Sequence, residues 1–118
     1  MVYKHIVMWK FKEQHNGKSA LENARWMKEQ LEALVGVVPE LLSAEVGISP
    51  ALEQAAEAAA AEAPAPAASG EYDACLVSTF ASPEALAAYK VHPKHKAISA
   101  YCKEARLKRL AFDWWSEE

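Results

Sequence analysis

Apolar side chains fall at alternate positions through the first dozen residues. His5, Val7, Trp9 and Phe11 share one side of the pattern, Ile6 and Met8 the other. A period of two predicts a strand over 2–12 with both faces partly apolar. Residues 13–18, which include Gly17, read as a polar connection. Ser19-Ala20-Leu21-Glu22 then matches a capping box, and the period lengthens. Leu21, Ala24, Met27, Leu31, Leu34 and Val35 form one apolar stripe, with Lys28, Glu29 and Glu32 facing water, which predicts a helix ending near Val35 before Gly36 and Pro39. Alternation resumes over 41–48. A further strand spans 72–80, with Tyr72, Ala74, Leu76, Ser78 and Phe80 on one face and Cys75, Val77 and Thr79 on the other.

Ser82-Pro83-Glu84 supplies an N-cap, a proline at the first helical position and an acid at the positive helix end. The helix that follows meets Pro93, which lacks an N–H and pushes His92 out of the helical region, so a break is expected at His92. A second piece over 94–105 places Ile98, Tyr101 and Cys102 on one face and lysines on the other. A last strand over 107–115 alternates Leu110, Phe112 and Trp114 with Arg109, Ala111 and Asp113. Between the second and third strands, residues 50–70 are a run of Ala, Glu and Pro in which Leu52 is the one large apolar side chain. With so little to bury, this segment is expected to be a solvated, partly mobile insertion. The alternative is a surface helix over 51–63, capped by Ser49 and started by Pro50.

The order is therefore β-α-β, an insertion, then β-α-β: an α+β, ferredoxin-like fold with a four-stranded antiparallel sheet and helices on one side. The far face would carry Ile6, Met8, Cys75, Val77, Leu110, Phe112 and Trp114. An apolar sheet face of that extent calls for a cover, and a homodimer packed sheet to sheet supplies one.

Composition narrows the function classes. The 118 residues suit one domain with one core. With 52% hydrophobic and 25% charged residues, the chain has the balance of a soluble globular protein. A net charge of −3 without a basic cluster argues against nucleic acid as a partner. No run approaches the roughly 20 apolar residues that span a bilayer, and Lys4, His5 and Lys10 interrupt the apolar start, so neither membrane nor signal peptide is expected. Cys75 and Cys102 lack metal-ligand spacing and read as free thiols in a reducing, cytoplasmic setting.

The chain resembles the stress-responsive α/β barrel (Dabb) domain family. The resemblance rests on Lys4-His5-Ile6-Val7-Met8-Trp9-Lys10-Phe11-Lys12, Gly36-Val37-Val38-Pro39, Val46-Gly47, Tyr72-Asp73, Phe80-Ala81-Ser82, Tyr89-Lys90-Val91-His92-Pro93-Lys94-His95 and Phe112-Asp113. It implies a dimeric α+β barrel built from two ferredoxin-like sheets. It implies no single activity: many members are tied to stress responses, and some plant members look like polyketide cyclases. Two departures stand out. The loop at 50–70 is longer than usual, and Ala74 stands where cyclase-like members tend to carry a histidine.

Candidate chemistry gathers at the Pro93 corner. His95 falls in the first turn of the second helix piece, where the positive helix end disfavours imidazolium and leaves a neutral base. The resemblance assigns the matching histidine that role. Tyr89 could donate its phenolic proton to a developing enolate or carbonyl oxygen. Catalytic roles are therefore expected of His95 and Tyr89. A small apolar ligand would lie among His5, Val7, Trp9, Met27, Leu31, Leu76 and Ile98. His92 is expected to be a corner hydrogen-bonder. A metal on His5, His92 and His95 is disfavoured by the intervening proline, and with no Gly-rich phosphate loop no cofactor is expected. Three functions remain open: a small-molecule-binding dimer, with proton transfer or aldol-type cyclisation as its chemistry; a non-catalytic stress-associated dimer with a filled core; and, less favoured, a cofactor-using oxygenase, which the resemblance to the wider dimeric barrel superfamily implies.

Overall fold

In the computed structural model, which describes residues 1–64 and 70–117, the first strand β1 (Val2–Phe11) buries His5, Val7, Trp9 and Phe11 on one face. A short hairpin follows, β2 (Gln14–His15) and β3 (Lys18–Ser19), where a plain polar connection was expected. Its two-residue loop is Asn16-Gly17, both at positive φ (56° and 74°), the conformation of the type I′ turns that favour Asn-Gly. Ser19 then caps α1 (Ala20–Glu32) through a complete capping box: its hydroxyl accepts from the Glu22 N–H and the Glu22 carboxylate accepts from the Ser19 N–H, each at 3.1 Å.

Helix α1 stops three residues short of the expected end. Tight turns close onto the Leu34 carbonyl, which accepts from Val37 and Val38, and Gly36 takes φ +87°. This turn lets Leu34 and Val38 both enter the core and leaves Val35, expected on the buried stripe, 41% exposed. Strand β4 (Ser43–Ile48) is stapled to α1 by Glu32, whose carboxylate accepts from the Val46 N–H (2.9 Å) and from Lys28 (2.7 Å). The Ala-rich segment expected to be a mobile insertion forms α2 (Pro50–Ala60), on the surface with no fully buried residue. Leu52 alone packs its side chain against the core. Ser49 makes no side-chain cap; its N–H donates to the Asp73 carbonyl instead. Part of the expected insertion, residues 65–69, lies outside the described residues.

Strand β5 (Ala74–Phe80) alternates buried and half-buried positions. Helix α3 (Pro83–Val91) is capped by the Ser82 hydroxyl and ends at His92, whose ψ of 134° is the extended conformation a following proline imposes. Helix α4 (Pro93–Ala105) begins at once and is followed directly by β6 (Arg106–Ser116). The sheet order is β4-β5-β1-β6, all pairs antiparallel, with the helices against one face. This is the ferredoxin-like arrangement that the pattern predicts. The core lies between that face and the helices, where Met27, Leu31, Leu86 and Ile98 meet Val7, Phe11, Leu76 and Phe80. On the other face Leu110 and Phe112 are 50% and 63% exposed.

Candidate functional site

Two imidazoles reach the helix side of the sheet from different elements. His5 leaves the middle of β1 and pairs in register with Asp113 of β6, which puts both side chains on the same face. The His5 Nδ1–H donates to Asp113 Oδ1 at 2.5 Å. His95, in the first turn of α4, reaches back over the Pro93 break, and its Nδ1 lies 3.2 Å from the Lys90 carbonyl at the end of α3. Carboxylate and carbonyl oxygens accept here, so in both rings the proton sits on Nδ1 and the neutral tautomer leaves a lone pair on Nε2. Neither Nε2 has a hydrogen-bond partner among the described residues. Burial holds both imidazoles below their ordinary pKa. For His5 the Asp113 contact offsets part of that effect, and for His95 the Lys90 carbonyl does; the cations at Lys90 and Arg109 reinforce the depression in both.

Both rings line one cavity of about 360 Å³, within the size range of small-molecule sites. Of the apolar residues expected around a ligand, Val7, Trp9, Leu31, Leu76 and Ile98 lie on its wall. Met27 is fully buried in the core and is not on the wall. Tyr89 is likewise fully buried and off the wall, its ring 4.3 Å from that of His95 and 5.1 Å from Phe80, centroid to centroid. Its hydroxyl has no hydrogen-bond partner among the described residues, and burial pushes its pKa well above the ordinary value. His92 turns away from the cavity's chemistry: its Nδ1 accepts the Lys94 N–H and caps α4. No three His, Cys, Asp or Glu side chains among the described residues are grouped as metal ligands would be.

The cavity is more polar than the expected apolar pocket. Lys90, Ser99, Lys103, Arg106 and Arg109 share its wall with the apolar residues. None of these was legible as a site residue, and neither was Asp113. Parity alone places Asp113 and Arg109 on the helix side of β6; what brings Asp113 to His5 is the β1–β6 register, which only the paired strands define.

Comparison with curated protein sequences found no match. Among solved structures, the chain is similar to a dimeric protein of unknown function with a ferredoxin-like fold from Bacteroides fragilis, with a TM-score of 0.73 at 23% identity over 98% of this chain and 96% of that one. It is also similar to a hydroxynitrile lyase from Passiflora edulis, with a TM-score of 0.69 at 18% identity over 99% and 95% of the two chains. A third, SnoaB, a cofactor-independent oxygenase from Streptomyces nogalater, gives a TM-score of 0.64 at 4% identity over 99% and 94%. At these identities the likeness is one of fold, and one fold carries many activities. The stress responsive A/B barrel domain matches residues 3–116. With its sheet order, its Pro93 corner and that match over nearly its whole length, the chain belongs to the stress responsive A/B barrel domain family.

Proposed function

We propose that this protein is a cytoplasmic homodimer that binds a small, largely apolar molecule in the cavity of each subunit and moves a proton on it, in a reaction of the enolisation or aldol-type cyclisation class. The observation that carries this reading is the pair of Nδ1-tethered imidazoles on one cavity wall. A neutral Nε2 at pH 7 is a general base, and tethering fixes its direction. In this reading His95 takes the proton and His5, backed by Asp113, is the second acid–base group. Tyr89, buried and off the cavity wall, packs against the His95 ring and in this reading supports that ring rather than meeting the ligand. A filled, non-catalytic core accords less well with a cavity of about 360 Å³ beside two histidines.

Dimerisation through Ile6, Met8, Val77, Leu110, Phe112 and Trp114 is supported by the open apolar sheet face and by the Bacteroides fragilis neighbour, itself described as dimeric. The cytoplasmic assignment is supported by two free thiols, Cys75 and Cys102. Among the described residues no helix is long and apolar enough to cross a membrane.

A thermal-shift screen of wild type and His95→Ala against aromatic polyketides, aldehydes and acyl-chain mimics tests the reading. Compounds that raise the melting temperature of wild type by several degrees and leave His95→Ala unmoved are expected. Equal shifts in both proteins would remove His95 from the site.

A further inference from the structure

The chain carries a net charge of −3, yet the cavity wall collects four cationic side chains, Lys90, Lys103, Arg106 and Arg109. None of the four makes an ion pair or a side-chain hydrogen bond among the described residues. The acid that Arg109 feels, Asp113, is already engaged by His5. Lys90 and Lys103 occupy the last turns of α3 and α4, and the negative helix ends offset part of the repulsion among the cations. The arginines have a different origin. Along β6, Arg109 lies opposite Trp9 and Lys108 opposite Lys10, but the register then shifts, and Arg106 rather than Leu107 lies opposite Phe11. Regular alternation from Arg109 would send Leu107 to the cavity side. The bulge skips it, leaving Leu107 64% exposed and bringing a second guanidinium to the wall. Bulges beside sites re-aim side chains in this way.

We propose that the ligand is an amphipathic acid, with its apolar body against Trp9, Leu31, Leu76 and Ile98 and a carboxylate or phosphate held by Arg106 and Arg109, with Lys90 and Lys103 at the flanks. This rests on the cavity being the ligand site, as proposed above, and adds the charge of what enters it. Guanidinium groups suit either anion because their fixed N–H fork matches two oxygens at once. The bulge places that fork on the same wall as the two imidazoles, so the anionic end would anchor the molecule while its apolar part lies against the bases.

Calorimetric titration of the wild-type protein with octanoate, octyl phosphate and 1-octanol separates the possibilities. The two acids are expected to bind at least about tenfold more tightly than the alcohol, the effect of one charge-assisted contact. Their affinity should fall as sodium chloride rises. The stronger of the two acids identifies the anion. In Arg106→Gln/Arg109→Gln, at a half-buried and an exposed position, the preference for acid over alcohol should vanish while the alcohol affinity stays. Equal binding of alcohol and acids to wild type would overturn the anionic assignment and leave the pocket standing. Acid affinity unchanged in the double variant, or insensitive to salt, would also overturn it. No heat from any of the three would remove the ligand site itself, and this proposal with it.

Discussion

On the helix side of β1, Val7, Trp9 and Phe11 are buried among residues such as Met27, Leu31 and Ile98. On the opposite side Ile6 and Met8 pair with Phe112 and Leu110, which remain 63% and 50% exposed. Both faces come from the same strands with the same alternation and comparable apolar content. The difference lies in what covers them. Helices α1, α3 and α4 cover one side, and the described residues place no helix over the apolar middle of the other. Apolar alternation therefore states that a face is to be covered, without saying by what.

Three changes would break or sharpen that contrast. The largest effect is expected from Phe112→Asp. It should leave the subunit folded, because the side chain is already exposed, but cost the dimer about 4 kcal/mol by placing an unpaired charge in an apolar interface, roughly a thousandfold in Kd. Analytical ultracentrifugation of wild type and variant checks it; a wild type that sediments as a monomer would refute the assignment of the open face. On the covered side Met27→Ala should have the converse effect. It should cost about 3 kcal/mol of subunit stability in urea unfolding and leave the association state as it was.

The smallest effect concerns pH. The depressed folded pKa of His95, caused first by burial and countered in part by the Lys90 carbonyl, means that below the ordinary value of 6.5 the unfolded chain takes up its proton first. Stability from this residue is thus complete above pH 6.5 and lost as the pH falls through the depressed value. Wild type should therefore lose melting temperature more steeply than His95→Gln on acidification from pH 7 to pH 5. Parallel curves would mean that His95 is not held neutral by its surroundings.

Much of the architecture could be read from the chain because it depends on short-range rules. The Ser19–Glu22 capping box, the Ser82-Pro83 helix start and the Pro93 break are each decided within a few residues. The face of each strand followed from parity. What escaped depends on tertiary or finer local terms. Asn16-Gly17 carried a hairpin signal that the polar character of its neighbours masked. Val35 has the right spacing for the buried stripe of α1, but the need to bring both Leu34 and Val38 inside ends the helix first. The Ala-rich segment has little to bury, yet alanine propensity with Leu52 as a single anchor forms α2. The polar half of the cavity escaped most completely. Asp113 meets His5 through a register across 108 residues of separation, and Arg106 reaches the wall through a bulge, a one-residue irregularity that no periodicity contains.

The tethering of both imidazoles through Nδ1 has a mechanical consequence. Nδ1–H is a donor in the neutral ring and in the imidazolium alike, so the bonds to Asp113 and to the Lys90 carbonyl persist whether or not Nε2 carries a proton. At His95 that same bond ties the end of α3 to the start of α4 across a corner where Pro93 offers no N–H of its own. A proton can then enter and leave the site without slackening the joint between the two helices. Charge and shape are decoupled at this corner, since a proton on the ring leaves the bond that joins the two helices in place.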